Sequence, residues 1–362
     1  MHRLPIKPLI AGLVLGSLAA CAPSKAPPPA PPAPPPAEAP VAPPPVPVPE
    51  VFDPQGRMNV EAMEYPWSAL GRLNTGGRGF CTGALIAPDL VVASARCLYN
   101  PIEGRWWAPN ELHFVAGYQR DRVILHAPVA SYEVAPGYVG GAGTSLANVA
   151  ANWSLVTLAA PIGNAAGWLA LENPAAGATT IAAQAGYRRG WAHSITMKLT
   201  CRDRGTPIAA SAAGGGCADG PDESELPVVL VANGEVRILG HSGLLRAAAA
   251  GRIASRAFRA LRHDGTKWGA GHAPLQGSSA AAVPRDTVMR LLFYLGYLEG
   301  IDLPASDQLL RAAILRFQRD AELARTGRPS VALLGHLLAA AQRKLLQAAP
   351  RVSAAPHAGT AS

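Results

Sequence analysis

The chain has 362 residues, enough for two domains plus connecting segments. Apolar residues make up 49% and charged residues only 15%, so a sizeable core is available, while 35 prolines and 37 glycines point to long irregular stretches. The net charge of +8 suits anionic polymers or lipid headgroups, but no aromatic-plus-basic motif accompanies it, and nucleic acid is not expected as a partner.

Residues 1–20 read as a signal peptide. His2, Arg3 and Lys7 form a basic start, and residues 9–20 form an apolar run too short to span a bilayer as a helix. The run closes with Leu18-Ala19-Ala20-Cys21, which resembles the bacterial lipobox. That resemblance implies that Cys21 receives a lipid and becomes the mature N-terminus, anchoring the chain to a membrane durably. Ala22 follows, and by resemblance to bacterial lipoprotein sorting the absence of Asp there favours the outer membrane. The expected location is the cell envelope, on the periplasmic side.

Residues 21–54 form the anchor cysteine and a linker. Fifteen of the 29 residues from Ala22 to Glu50 are proline. Proline fixes φ and removes hydrogen-bond donors, so the run is expected to be a polyproline II spacer, with a contour on the order of 100 Å.

A folded domain is expected over residues 55–263. Short apolar runs alternate with turn residues: Gly83–Ile86, Leu90–Ala93, Leu112–Ala116, Val123–Ala127 and Leu155–Leu158. Strands at this spacing indicate an all-β sandwich or barrel. Besides Cys21, the cysteines are Cys81, Cys97, Cys201 and Cys217, two pairs each 16 positions apart. In an exported chain such pairs invite two disulfides, each contributing roughly 3 kcal/mol in the loop-entropy account.

Several segments, in order, resemble the trypsin-like serine proteases, in the bacterial branch near the glutamyl endopeptidases. They are Pro66-Trp67-Ser68, Cys81-Thr82-Gly83-Ala84-Leu85-Ile86, Leu90-Val91-Val92-Ala93-Ser94-Ala95-Arg96-Cys97, Leu112–Tyr118, Asn152-Trp153-Ser154-Leu155, Gly186-Tyr187 and Gly240-His241-Ser242-Gly243. The resemblance implies a double β-barrel, and disulfides Cys81–Cys97 and Cys201–Cys217.

The departures from that family bear on chemistry. Where the family has its histidine this chain has Arg96, which stays protonated at neutral pH and cannot accept a proton. Where the family has its aspartate this chain has Asn152. The family's Gly-Asp-Ser-Gly aligns with Asp222-Glu223-Ser224-Glu225, so Ser224 survives without the glycine that helps form the oxyanion hole. The expectation is a non-catalytic pseudoprotease, with the degenerate triad positions Arg96, Asn152 and Ser224 and an unidentified protein partner. The alternative is an active serine endopeptidase using Ser224 with an unorthodox base. His113, His126, His193, His241, His263, His272 and His336 read as scattered, so no metal site and no cofactor is expected.

Residues 264–283 read as a linker, and residues 284–347 as a small all-α three-helix domain. Asp286 or Thr287 can cap a first helix with Val288, Leu291, Leu292 and Leu295 inward, ended by Gly296. Ser306 can cap a second helix with Leu309, Leu310, Ala313, Ile314 and Phe317 inward. Ser330 can cap a third with Leu333, Leu334, Leu337 and Leu338 inward. Leu295–Gly300, Ala312–Gln318 and Thr326-Gly327-Arg328-Pro329-Ser330 resemble the peptidoglycan-binding three-helix domain, with the Phe317-Gln318 and Thr326-Gly327 elements at the family spacing. The resemblance implies peptidoglycan as a partner, although Leu303–Gln308 departs from the family's Gly-Pro-containing loop. Phe317 is expected in the core. Residues 348–362 read as a disordered tail.

Overall fold

The computed structural model describes residues 51–53, 56–76, 79–143, 145, 147–148, 151–171, 181–199, 227–232, 235–241, 283–299 and 306–348. The expected signal peptide, linker residues 21–50 and tail residues 349–362 lie outside these, as do Cys21, Cys201, Cys217, Ser224 and residues 264–282, whereas Ala348, expected to open the tail, ends the last helix.

Six strands close into a barrel in the order β2 (Leu70–Thr75), β3 (Gly79–Ala87), β4 (Leu90–Ala93), β9 (Ser154–Leu158), β8 (Leu125–Val134) and β7 (Leu112–Ala116). Closure leaves no open edge in this sheet. Within β7 the faces alternate: Leu112, Phe114 and Ala116 face inward, and His113 and Val115 face outward. The barrel interior is filled by Leu73, Leu85, Val91, Phe114 and Val156. The Phe114 ring sits over two glycines. A Cβ at Gly71 would lie 2.4 Å from Phe114 Cζ, and one at Gly83 would lie 2.6 Å from Val91 Cγ1. Strand β8 begins at Leu125 and not at Val123, which lies in the preceding turn and is exposed.

A second, six-stranded sheet runs in the order β1 (Arg57–Val60), β12 (Trp191–Lys198), β11 (Ile181–Arg188), β13 (Pro227–Ala232), β14 (Glu235–His241) and β10 (Ala170–Leu171). Its ladders are antiparallel except β10–β14, which is parallel. Among the described residues no ladder joins its outer strands, so the observed architecture is one closed barrel beside an open sheet. A two-stranded ribbon, β5 (Tyr99–Asn100) with β6 (Arg105–Trp106), completes the β structure.

Among the described residues three helices follow: α1 (Arg285–Leu295), α2 (Asp307–Asp320) and α3 (Val331–Ala348). Gly296 ends α1 in the left-handed conformation, φ 90°. Ser306 Oγ accepts from Leu309 N–H, and Ser330 Oγ accepts from Leu333 N–H, as expected of N-caps. Val288, Leu291, Leu292, Leu310, Ala313, Ile314, Phe317, Leu333, Leu334, Leu337 and Leu338 are buried.

Two expectations about these helices change. Leu309 is 60% exposed, because at the start of α2 it points away from its partners. The N-cap of α1 is Pro284, whose side chain accepts nothing, and the N–H groups of Asp286 and Thr287 are taken up by the carboxylate of Glu64. The helices share a continuous buried core with the strands. Helix α3 lies against β11, β13 and β14, and Gln342 Nε2 donates to Leu199 O at 2.7 Å. Phe52 meets Tyr294 edge-on at 4.6 Å. Among the described residues no helix is long and apolar enough to cross a membrane.

Candidate functional site

The β4–β9 ladder pairs Ala93 with Ser154, and Ser154 Oγ donates to Ala93 O at 3.1 Å. This register brings the segment after β4 against the segment before β9. After β4 the chain turns through a short 3-10 helix, Ala95–Leu98, with Ala95, Cys97 and Leu98 buried and Arg96 exposed. Cys97 is bonded to Cys81 in β3, so this turn is tied to the barrel wall.

Asn152 stands opposite. Its Oδ1 accepts from Ser94 Oγ at 2.7 Å and from the Arg96 N–H at 2.8 Å. Two of the three expected site positions are therefore in contact, through the backbone of Arg96. Ser224, the third, lies outside the described residues, so its distance from the other two does not enter the description. The pair has no proton acceptor suited to activating a hydroxyl. A guanidinium is protonated at neutral pH, and the Asn152 oxygen is a neutral amide already taking two donors. A carboxylate at residue 152 would meet the same two donors.

The structure also gathers groups that the sequence presents as scattered. His113 on β7 and His126 on β8 face outward side by side, with His113 Nε2 and His126 Nδ1 2.7 Å apart. Burial, and secondarily the neighbouring His126, lowers the His113 pKa below the usual imidazole range. Both line an open groove of about 270 Å³ together with Arg72, Asn74, Val115, Tyr118 and Val123. The Arg72 guanidinium lies over the rings of Phe80 and Tyr118, at 4.2 and 4.9 Å, and its Nη1 donates to Ala192 O at 3.0 Å. His193 Nδ1 lies 2.7 Å from the Tyr118 hydroxyl. The sequence signal for the histidine pair was the strand alternation: each histidine adjoins inward-facing residues, Leu112 and Phe114 for one and Ala127 for the other.

In the helices, the Phe317-Gln318 and Thr326-Gly327 elements bind each other. Gln318 Nε2 donates to Thr326 Oγ1 at 2.9 Å, and Gln318 Oε1 accepts from Gly327 N–H at 3.0 Å. Gln318 is 4% exposed and Phe317 is equally buried, packed edge-on against Tyr297. These motif residues hold the turn between α2 and α3 and present no polar atom of Gln318 to a ligand.

No protein-family model matches the chain, and no curated protein matches it. Among solved structures it is similar to one described as "Structure of Glu endopeptidase in complex with MPD". The match covers 56% of this chain and 99% of that chain, at 16% identity and a TM-score of 0.39.

Proposed function

We propose that the chain is a lipid-anchored envelope protein whose barrel region is a non-catalytic, trypsin-like pseudoprotease and whose helices bind the cell wall. The observation that carries the non-catalytic reading is the contact of Asn152 Oδ1 with the backbone N–H of Arg96, which brings these two positions together. At them the sequence has an amide and a guanidinium where the resembled family has its carboxylate and imidazole. Loss of one catalytic member of such a triad typically costs on the order of 10⁴ to 10⁶ in kcat. Here two members and the glycines around Ser224 differ together. The closed barrel, the Cys81–Cys97 bond and the contact of Asn152 with the turn before Cys97 support the trypsin-like reading. Cys21 and the proline-rich run support an anchored protein that reaches away from a membrane. The spacing of Phe317-Gln318 and Thr326-Gly327 supports the resemblance to the peptidoglycan-binding domain, and the wall-binding reading rests on that resemblance.

Two measurements test this. The purified chain carrying Cys21→Ser should co-sediment with isolated sacculi at low salt; its remaining in the supernatant defeats wall binding. The same chain should not react with a fluorophosphonate probe. Covalent labelling that disappears in Ser224→Ala would establish an active serine nucleophile and defeat the pseudoprotease reading.

A further inference from the structure

We propose that His113 and His126 form a surface site for a divalent late-transition-metal ion, Cu²⁺, Ni²⁺ or Zn²⁺, on the outer face of the closed barrel. The two side chains come from paired, antiparallel strands, with Val115 opposite His126 and His113 opposite Pro128. Their spacing is therefore fixed by the barrel ladder. The facing nitrogens, His113 Nε2 and His126 Nδ1, are 2.7 Å apart and share one hydrogen. Two imidazole nitrogens at about 2.0–2.1 Å from one ion lie about 2.9 Å apart at the right angle of a tetragonal copper or nickel site and about 3.4 Å apart at the tetrahedral angle of zinc. The pair can thus exchange its shared hydrogen for an ion by tilting two rings, with no movement of the strands. His126 is exposed and His113 half-buried, so both can tilt.

The surroundings select the ion. Asn74 stands opposite His113 on β2 and lines the same groove, and its Oδ1 is buried with no hydrogen-bond partner among the described residues. An amide oxygen can serve as a third ligand. Among the described residues no carboxylate lines the groove, which disfavours Mg²⁺ and Ca²⁺, whereas imidazole suits copper, nickel and zinc. Among the described residues Arg72 is the one permanently charged group lining the groove; its guanidinium is held against Phe80 and Tyr118 and donates towards β12, on the Ala192 side. Among the described residues no group of three or more His, Cys, Asp or Glu could hold a metal ion, so from those residue types the chain offers two imidazoles to this site. Solvent, or a donor from a partner molecule, completes the coordination.

The test is a titration of the full chain with CuCl₂, followed by calorimetry and electron paramagnetic resonance. The expected result is one bound equivalent with coupling to two imidazole nitrogens, lost in both His113→Gln and His126→Gln, and no heat from MgCl₂ or CaCl₂ at the same concentration. An unchanged equivalent in either variant overturns the site, as does equal binding of Mg²⁺. A second measurement needs no variant. Zn²⁺ should protect His113 and His126, but not His193 or His336, from diethylpyrocarbonate modification mapped by mass spectrometry. Unchanged modification of the pair in the presence of Zn²⁺ also overturns the site.

Discussion

The Glu64 carboxylate closes the N-terminus of α1: one oxygen accepts from the Asp286 N–H, and the other accepts from the Thr287 N–H at 3.1 Å and its hydroxyl at 2.9 Å. Glu64 is 3% exposed. Burial outweighs the lowering effect of these donors and pushes the carboxyl up to about 7 from an ordinary 4.5. A carboxyl raised in the folded state stabilises fully below about 4.5, and that contribution is lost as pH rises towards about 7. The shift corresponds to roughly 3 kcal/mol between those limits. Urea unfolding should therefore show lower stability at pH 8 than at pH 5. Glu64→Gln should flatten that difference, and an undiminished slope in the variant would rule out Glu64 as its source. Glu64→Ala should cost roughly 2 kcal/mol at pH 5, by leaving two buried N–H groups without an acceptor.

Gly71 is the tightest point of the barrel interior. A methyl there would meet Phe114 Cζ at 2.4 Å and the Val115 carbonyl oxygen at 2.5 Å. The ring could turn aside, but the β7 backbone cannot yield without breaking its ladder to β2. Gly71→Ala should destabilise by about 2 kcal/mol or more. A melting temperature within a degree of the parent would mean that the two strands are further apart than described.

The turn between α2 and α3 depends on Gln318 and Gly327. Gly327 has φ 64°, and a Cβ there would lie 3.1 Å from Arg311 Cγ and 3.2 Å from Leu315 Cγ. Gly327→Ala should cost about 1–2 kcal/mol, from the left-handed backbone and the crowding together. Gln318→Ala should cost about 1–3 kcal/mol, because the Gly327 N–H loses its acceptor in a buried place. Because α3 shares its core with the strands, these losses should appear in the main unfolding transition. A separate early transition confined to the helices would show that they melt independently.

What could be read from the sequence follows the range of the signals. Strands β4, β7 and β9 follow from short apolar runs of four or five residues set between turn residues, and the helix caps Ser306, Ser330 and Gly296 from chemistry within one turn. The Cys81–Cys97 bond followed from family resemblance. The cap of α1 could not be read, because its acceptor, Glu64, lies 223 positions before Thr287. The local candidates, Asp286 and Thr287, therefore looked sufficient. The His113–His126 contact was hidden for a milder reason. Each histidine sits on an outward register position, but which outward positions meet depends on the β7–β8 register, set by a long connection and not a two-residue turn. The parallel β10–β14 ladder has no local signal, since its strands lie far apart in the chain.

The contact between Asn152 and the Ser94–Arg96 turn gives the most specific prediction about chemistry. Asn152→Asp alone should fold with stability within about 1 kcal/mol of the parent, because a carboxylate oxygen would accept from Ser94 Oγ and the Arg96 N–H as the amide oxygen does. Arg96→His alone should produce no measurable hydrolysis. Its imidazole would lack a supporting charge, and the segment around Ser224 would still carry Asp222 and Glu225. Combining Arg96→His, Asn152→Asp, Asp222→Gly and Glu225→Gly returns a base, its orienting carboxylate and the glycines of the resembled family. That quadruple variant should hydrolyse an activated p-nitrophenyl ester weakly, and Ser224→Ala in the same background should abolish the activity. Ester turnover is the appropriate readout because an activated leaving group demands little substrate positioning. Strong turnover by the unmodified chain would show that proton transfer uses residues other than these, and strong turnover by Arg96→His alone that an imidazole at position 96 needs neither a carboxylate at 152 nor the glycines. Hydrolysis that survives Ser224→Ala would show that the nucleophile lies elsewhere.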